Sequence, residues 1–445
     1  MLLEINADIP LTPLLPDFLK LDRIVKDIIS SMTDSSKPSL AGKLKSMGVK
    51  IGTAELQPQV PKSKKEAAIQ SVVDGHFVST RQGETFVSEQ TYPSDYRHGL
   101  TPLRISVPLM TIAQWAHDVR LAYLPLESFA FLDIETSGLA GGTGTYAFLV
   151  GIGRFEGDTF HLVQYFMRDP SEESAMLEGL MDFLAPNAAL VTFNGKAFDA
   201  PLLVTRYLLH DLPVPFKDFA HLDLLPLARR LWRDRLPSRA LKYLEENVLA
   251  APRTVDEVPG YEIPYLYFDY LRTGDAAPLK GVFYHNAMDI VALAALMNHM
   301  ASILHAPFDG QVQHGQDFIA LGKLFEDLER REEAARLYER GLEVGVGEMD
   351  FGAAVQRLSA LQRRRGDLES AVSLWQKAAA EGHVYAHIEL AKYYEHNLRD
   401  YPEALNWTQK AERLVSSLDI PRYEYRHWME ELDHRKKRLR EKSRK

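Results

Sequence analysis

The chain of 445 residues contains no cysteine. That absence removes disulfides, thiolate-held zinc and cysteine nucleophiles together. Long apolar runs are also missing, since no stretch approaches the ~20 uninterrupted apolar residues of a membrane helix. The opening MLLEINADIPLTPLL lacks the basic start and small-residue cleavage site of a signal peptide, so a cytoplasmic location is expected. Basic residues are outnumbered by acidic ones, 52 to 61. The net charge of −9 argues against a non-specific nucleic-acid coat protein, while leaving room for an enzyme with a locally basic channel. The remaining composition is that of an ordinary globular chain, long enough for about two or three domains.

What is present is a pair of acids in an unusual setting. The segment FLDIETSGL, Phe131 to Leu139, reads as a buried strand carrying Asp133 and Glu135. The period-2 geometry of a strand projects both from one face. Two carboxylates side by side repel unless a cation lies between them, so the pair marks a candidate hard-metal site.

The surrounding pattern is that of an α/β domain. FAFLDIE, TYAFLVGIGRF and TFHLVQYFM predict three strands, the last two joined as a hairpin by Gly157–Asp158. The Gly-rich run Gly138–Gly144 predicts a tight turn between the first two. A helix is expected over Ser171–Leu184 with Ser171 as N-cap, a short strand over Ala188–Phe193, and a helix over Phe198–Leu209. Further helices are expected over Ser238–Val248 and Tyr284–Leu304, separated by a Pro- and Tyr-rich stretch, Pro252–Leu279. That stretch is longer than an ordinary connection, and such segments often wall or cover sites. This order of elements is expected of a ribonuclease-H-like domain, a mixed sheet flanked by helices, at residues 126–305.

Two segments precede that domain. Residues 1–75 read as a helical or flexible region, with an amphipathic helix over Asp17–Met32 and a polar linker over Gln57–Lys65; residues 76–125 form a β-prone segment ending in a helix around Trp115. After residue 313 the texture becomes all-α. Leu321, Gly322, Phe325, Ala334, Tyr338 and Gly341 fall near the offsets of a tetratricopeptide-like unit of ~34 residues. The pattern returns at Ala371, Trp375 and Ala378, and at Ala404, Trp407 and Ala411, which places tetratricopeptide-like repeats over residues 313–415. Residues 416–445 end in the basic HRKKRLREKSRK, read as a frayed helical tail able to stay solvated or to touch a polyanion.

Two further acids fit the metal hypothesis. Asp199, in NGKAFD, falls in the first turn of its helix, where the helix dipole favours a carboxylate. Asp289, in YHNAMD, has His285 one turn before it on the same helical face. Carboxylates without thiols suit Mg²⁺ or Mn²⁺, and two such ions about 4 Å apart can drive phosphodiester hydrolysis. A nearby histidine can take the proton of the attacking water. Lys196 is a candidate for contact with substrate phosphates. His221 and Asp223 read as a satisfied histidine beside a helix-capping acid.

DIETSGL, NGKAFD and HNAMD resemble the three motifs of the DEDD 3′–5′ exonucleases, and GGTGTYAFLVG resembles the YprB-like branch of ribonuclease-H-like proteins. The resemblance covers about Phe129 to Leu304. It implies Asp133, Glu135, Asp199 and Asp289 as ligands of two Mg²⁺ or Mn²⁺ ions, with Thr136 and Asn194 near the 3′ end of a single-stranded nucleic acid. It also implies a water-orienting residue one turn before Asp289. The spacing of the tyrosine-type subgroup is occupied here by His285 and that of the histidine-type subgroup by Tyr284. Both are candidates, with His285 favoured by its i, i+4 relation to Asp289. The competing readings are a scaffold whose repeats bind a protein partner, and a structure-specific endonuclease. DNA and RNA are left undistinguished, because no motif encodes contacts to the sugar 2′ position.

Overall fold

In the computed structural model, residues 67–93, 95–138, 144–254 and 257–444 are described. The expected helix over Asp17–Met32 and the linker Gln57–Lys65 lie outside the described residues, as does the Gly-rich loop apart from its ends, Gly138 and Gly144.

The chain builds its sheet from β1 (His76–Thr80), β2 (Gly83–Tyr92), β5 (Phe129–Thr136), β6 (Ala147–Glu156), β7 (Thr159–Phe166), β8 (Ala189–Thr192) and β9 (Ala220–Asp223). A separate two-stranded pair is formed by β3 (Arg97–His98) and β4 (Thr101–Pro102). The large sheet has the order β1-β2-β7-β6-β5-β8-β9. Strands β5, β6 and β7 pair antiparallel, whereas β8 joins β5, and β9 joins β8, in parallel. Helices flank it: α1 (Met110–Trp115), α2 (Glu173–Leu184), α3 (Asp199–Leu209), α4 (Leu224–Trp232), α5 (Leu241–Asn247), α6 (Ile263–Thr273) and α7 (Leu279–His305). A mixed sheet flanked by helices in this way fits the ribonuclease-H-like fold.

Both faces of the central strand are buried. Phe129 and Phe131 join one apolar core with Ile290, Val291 and Leu293 of α7, while Ala130, Leu132 and Ile134 join a second with Met176, Leu177 and Leu180 of α2. Parallel pairing on one side and helix cover on both explain why β5 is apolar at nearly every position instead of alternating. The same alternation puts Asp133 and Glu135 on the Phe131 face, under α7. Glycines in β6 set how closely α7 docks. A Cβ on Gly151 would fall 2.1 Å from Asn286 Oδ1, and one on Gly153 would fall 2.9 Å from Ile290 Cγ2.

Several expectations need correction. The acid that caps the turn into α2 is Asp169, which accepts from the Ser171 backbone N–H at 2.9 Å, so Ser171 is capped and is not the cap. The stretch AHLD, to which the sequence assigns no element, forms β9 along the free edge of β8, Ala220 N–H donating to Ala188 C=O. Strand β2 pairs with β7 from Phe86↔Phe166 to Tyr92↔Phe160, so the β-prone segment before residue 126 extends the same sheet. The longest helix among the described residues, α7, is apolar and long enough to cross a membrane, yet 78% of its most apolar window is covered by protein. It is a core helix here.

Beyond α7 the described residues are helical: α8 (Gly315–Asp327), α9 (Arg331–Val344), α10 (Glu348–Arg364), α11 (Leu368–Ala380), α12 (Val384–His396), α13 (Tyr401–Ser417) and α14 (Arg422–Lys442). Ala334, Ala371, Ala378, Ala404 and Ala411 are all fully buried where these helices meet. Tyr338 of α9 packs on Gly322 of α8, whose missing Cβ would lie 2.8 Å from the ring. Small residues thus admit the close approach and the aromatic fills beside it. The basic tail is an ordered helix. Its Arg435 is buried, and Arg435, Arg438 and Lys442 all converge on Glu395 of α12.

Candidate active site

Three parts of the chain deliver acids to one place. Asp133 and Glu135 come from the C-terminal end of β5, where pairing with β6 is irregular between Glu135 and Thr136. Such an irregularity re-aims side chains at the end of a strand. Asp199 opens α3, after a turn in which Asn194 takes a left-handed φ of 68°. Asp223 holds that turn from β9, accepting from the backbone N–H of Asn194 at 2.7 Å and of Lys196 at 3.1 Å. It also caps α4 through Leu225 N–H at 3.1 Å. Asp289 and His285 come from one face of α7.

Glu135, His285 and Asp289 present ligand atoms within 4.8 Å of one another. His285 Nε2 lies 3.2 Å from Asp289 Oδ2 and 3.9 Å from Glu135 Oε1. Asp133 accepts from Asn286 Nδ2 at 3.1 Å. Asn286 is itself fully buried and is oriented by Gln164, whose Nε2 donates to its Oδ1 at 2.9 Å.

Burial and crowding govern the protonation of these acids. Burial, then the charges of Asp289, Glu135 and Asp199, hold the Asp133 carboxyl well above the usual range. Burial pushes Glu135 up to about 7, with His285 and Arg253 opposing and Asp289 and Asp199 adding to the shift. Asp199 also rises to about 7, from burial and then from Asp223 and Asp289. Asp289 departs in the other direction: burial disfavours its charge, but His285 and Arg253 hold it below the ordinary value. Burial likewise opposes the His285 cation, and the hydrogen bond and charge of Asp289 outweigh it, raising the imidazole to about 9.

A second layer went unseen in the sequence. Arg253 is almost wholly buried and binds Asp289, Glu257 (Nη1 to Oε1, 3.0 Å) and Glu245 (Nε to Oε2, 2.7 Å). Glu245 also meets His98 Nε2 at 2.7 Å. Glu257 Oε1 lies 3.0 Å from His285 Nδ1, while its other oxygen is buried without a hydrogen-bond partner among the described residues. Only Gln164 left a signal in the sequence, as a polar residue amid the apolar LVQYF. Arg253, Glu245 and Glu257 come from the α5 helix and the stretch after it, and no local pattern marks them.

The remaining candidates sit less centrally. Tyr284 is turned to the loop after Arg253, where its hydroxyl accepts from Thr254 N–H at 3.1 Å. Adjacent residues of a helix diverge by about 100°, so Tyr284 and His285 cannot both face the acids. The Thr136 hydroxyl donates to Gly138 C=O at 3.0 Å and so serves the turn after β5. Lys196 is exposed, with its backbone N–H held by Asp223. His221 bonds Thr192 Oγ1 at 2.9 Å, and burial lowers its pKa to about 4, which leaves it neutral.

The chain is 32% identical over 338 residues to the Bacillus subtilis (strain 168) protein YprB, described as uncharacterized, covering 74% of this chain and 80% of that one. The chain belongs to the YprB family. Within it, residues 130–301 match the RNase_H superfamily, so the acids lie in a nuclease-type domain. Among solved structures, the family B DNA polymerase of the hyperthermophilic archaeon Pyrobaculum calidifontis is similar at 16% identity and a TM-score of 0.31. That similarity spans 46% of this YprB-family chain and 29% of the polymerase, and it carries no functional weight.

Proposed function

We propose that the protein is a divalent-metal-dependent 3′–5′ exonuclease of the DEDD type, acting on single-stranded DNA or RNA. The observation that carries this reading is the convergence of Asp133, Glu135, Asp199 and Asp289, of which the first three have carboxyl pKa values raised by burial and mutual repulsion. Among the described residues, His285 and Arg253 are the cations that offset them directly, and Arg253 is already shared with Glu245 and Glu257. A buried set of four carboxylates with excess negative charge fits a hard cation such as Mg²⁺ or Mn²⁺.

On this reading the four carboxylates would hold two ions, which when bound supply Lewis-acid stabilisation of phosphoryl oxygens and an acidified water. Asn286 and Gln164 keep Asp133 turned toward the cluster. His285 would orient the water, with Glu257 holding its other ring nitrogen. The proton on His285 competes with a cation for the same carboxylates, so metal affinity would rise with pH. Thr136, Asn194 and Lys196 would lie near the 3′ end of the strand. The helices α8 to α13, read as tetratricopeptide-like units, would carry a protein partner.

The test is digestion of matched linear and circular DNA and RNA oligonucleotides with Mg²⁺ or Mn²⁺. A ladder shortening from the 3′ end of linear strands is expected, with circles intact. Asp133→Ala should lower the rate by about 10³-fold or more, the scale of losing a metal's stabilisation of transition-state charge. Indistinguishable ladders from wild type and Asp133→Ala would remove the proposal.

A further inference from the structure

The Pro- and Tyr-rich stretch contains α6, and its outer face is unusual. Ile263 and Tyr267 anchor the helix and are fully buried, Tyr267 stacking on Phe148 at 4.0 Å and donating to Met167 C=O at 3.1 Å. On the opposite side Tyr265 is 71% exposed and Phe268 46% exposed. Arg272 continues the same line, and Tyr261, 66% exposed, stands in the turn leading in. At about 100° per residue, the three helical positions Tyr265, Phe268 and Arg272 fall within roughly 60° of one another. The anchoring is done mainly by Ile263 and Tyr267, with Phe268 leaning on the Tyr267 ring at 6.2 Å between centroids. Single exposed apolar side chains are ordinary, but an aligned aromatic stripe is not.

The stripe begins at the candidate active site. A Cβ on Gly260, the residue before Tyr261, would lie 3.9 Å from His285 Cε1. From there α6 runs for 11 residues, or about 16 Å at ~1.5 Å per residue, enough for several stacked bases. Tyr261 and Tyr265 are largely exposed, Phe268 is half exposed beside the Tyr267 ring, and the stripe's one cation is modest, because Arg272 is paired with Asp269 at 3.1 Å. That combination favours unpaired bases over a duplex backbone: stacking needs exposed base faces, whereas duplex binding needs many unshared cations.

We propose that Tyr261, Tyr265 and Phe268 form a stacking platform for the unpaired bases of a single-stranded nucleic acid whose end sits at the carboxylate cluster. This rests on the nuclease reading and names the side chains that hold its single strand. The platform is held rigidly by the buried side of α6, so it is formed before the strand arrives.

The test uses the full chain in Ca²⁺ with a short fluorescent single-stranded oligonucleotide, followed by anisotropy over a range of salt concentrations. Tyr265→Ala and Phe268→Ala should each weaken binding about tenfold, with little change in the slope of affinity against salt. Both residues are exposed, so melting temperatures should match wild type, and duplex of the same sequence should bind weakly to every form. Wild-type affinity in the double variant would overturn the proposal, as would loss of a self-association in that variant, which would make the stripe a contact between copies. Tyr265-dependent binding without any hydrolysis would leave the platform standing and remove the nuclease reading instead.

Discussion

Two of the buried carboxylate centres among the described residues solve the same electrostatic problem in opposite ways. At the C-terminal end, Glu395 is fully buried but receives Arg438 at 2.8 and 3.0 Å, Lys442 at 2.9 Å and Arg435 at 3.2 Å. Burial alone would raise its pKa, yet the hydrogen bonds of Arg438 and Lys442 bring it down to about 2. At the sheet, Asp133, Glu135, Asp199 and Asp289 share His285 and one side of Arg253. There Glu135 and Asp199 rise to about 7. The first centre has more cations than acids and is complete. The second has more acids than cations and is complete only with something added. A fold that can satisfy Glu395 so fully has left the β5 acids short of charge, and this deficit points to function better than the presence of acids does.

The comparison can be broken by removing charge from each centre. Glu395→Gln should destabilise the protein by about 3 kcal/mol, because it leaves Arg435 buried without its acid. Asp133→Asn should instead stabilise the metal-free protein by about 1 kcal/mol, since the amide keeps an acceptor for Asn286 while removing a repelled charge. Urea unfolding with a chelator present measures both. Equal destabilisation by the two changes would show that the centres are alike.

Titration gives a second contrast of similar size. Glu135 and Asp199 hold protons more tightly when folded than their ordinary values of 4.5 and 3.8 allow, so the folded chain loses stability as pH rises from that range through about 7. For Glu135 the shift corresponds to a loss on the order of 3 kcal/mol. His285 acts in the same direction. Its contribution is complete below 6.5 and disappears as pH rises through about 9. Glu395, with its lowered pKa, contributes stability that is complete above 4.5 and lost as pH falls through about 2. Metal-free melting temperature should therefore decline steadily from about pH 5 to pH 9. A flat profile over that interval would contradict the charge deficit.

A smaller effect probes the second layer. Glu257→Ala removes the partner of His285 Nδ1 without touching the four acids. Loss of an outer partner of this kind lowers turnover or metal affinity by about tenfold. Wild-type rates of oligonucleotide hydrolysis in this variant would show that the imidazole needs no such support.

The parts of this arrangement that were legible in the sequence are those carried by local pattern. FLDIETSGL announces a buried strand with two acids on one face, and the i, i+4 spacing of His285 and Asp289 needs only helix geometry. The pairing of β2 with β7 could not be read, because Phe86 and Phe166 are brought together by topology and not by any adjacent signal. AHLD was missed because four residues running straight into α4 give no alternation to detect. Arg253 and Glu257 were missed for a related reason: charged residues in a Pro-rich loop look solvated until the fold buries them. The tail misled in the reverse sense. Its basic run looked free, whereas much of its charge is spent on Glu395 and Glu412.

The most direct test of the central claim is calorimetric titration of the full chain with Mn²⁺. Wild type should show saturable binding that strengthens as pH rises from about 6 to 8, and Asp133→Ala should lose it. No binding by wild type, or binding unchanged by Asp133→Ala, would contradict the assignment of the β5 acids as a metal site.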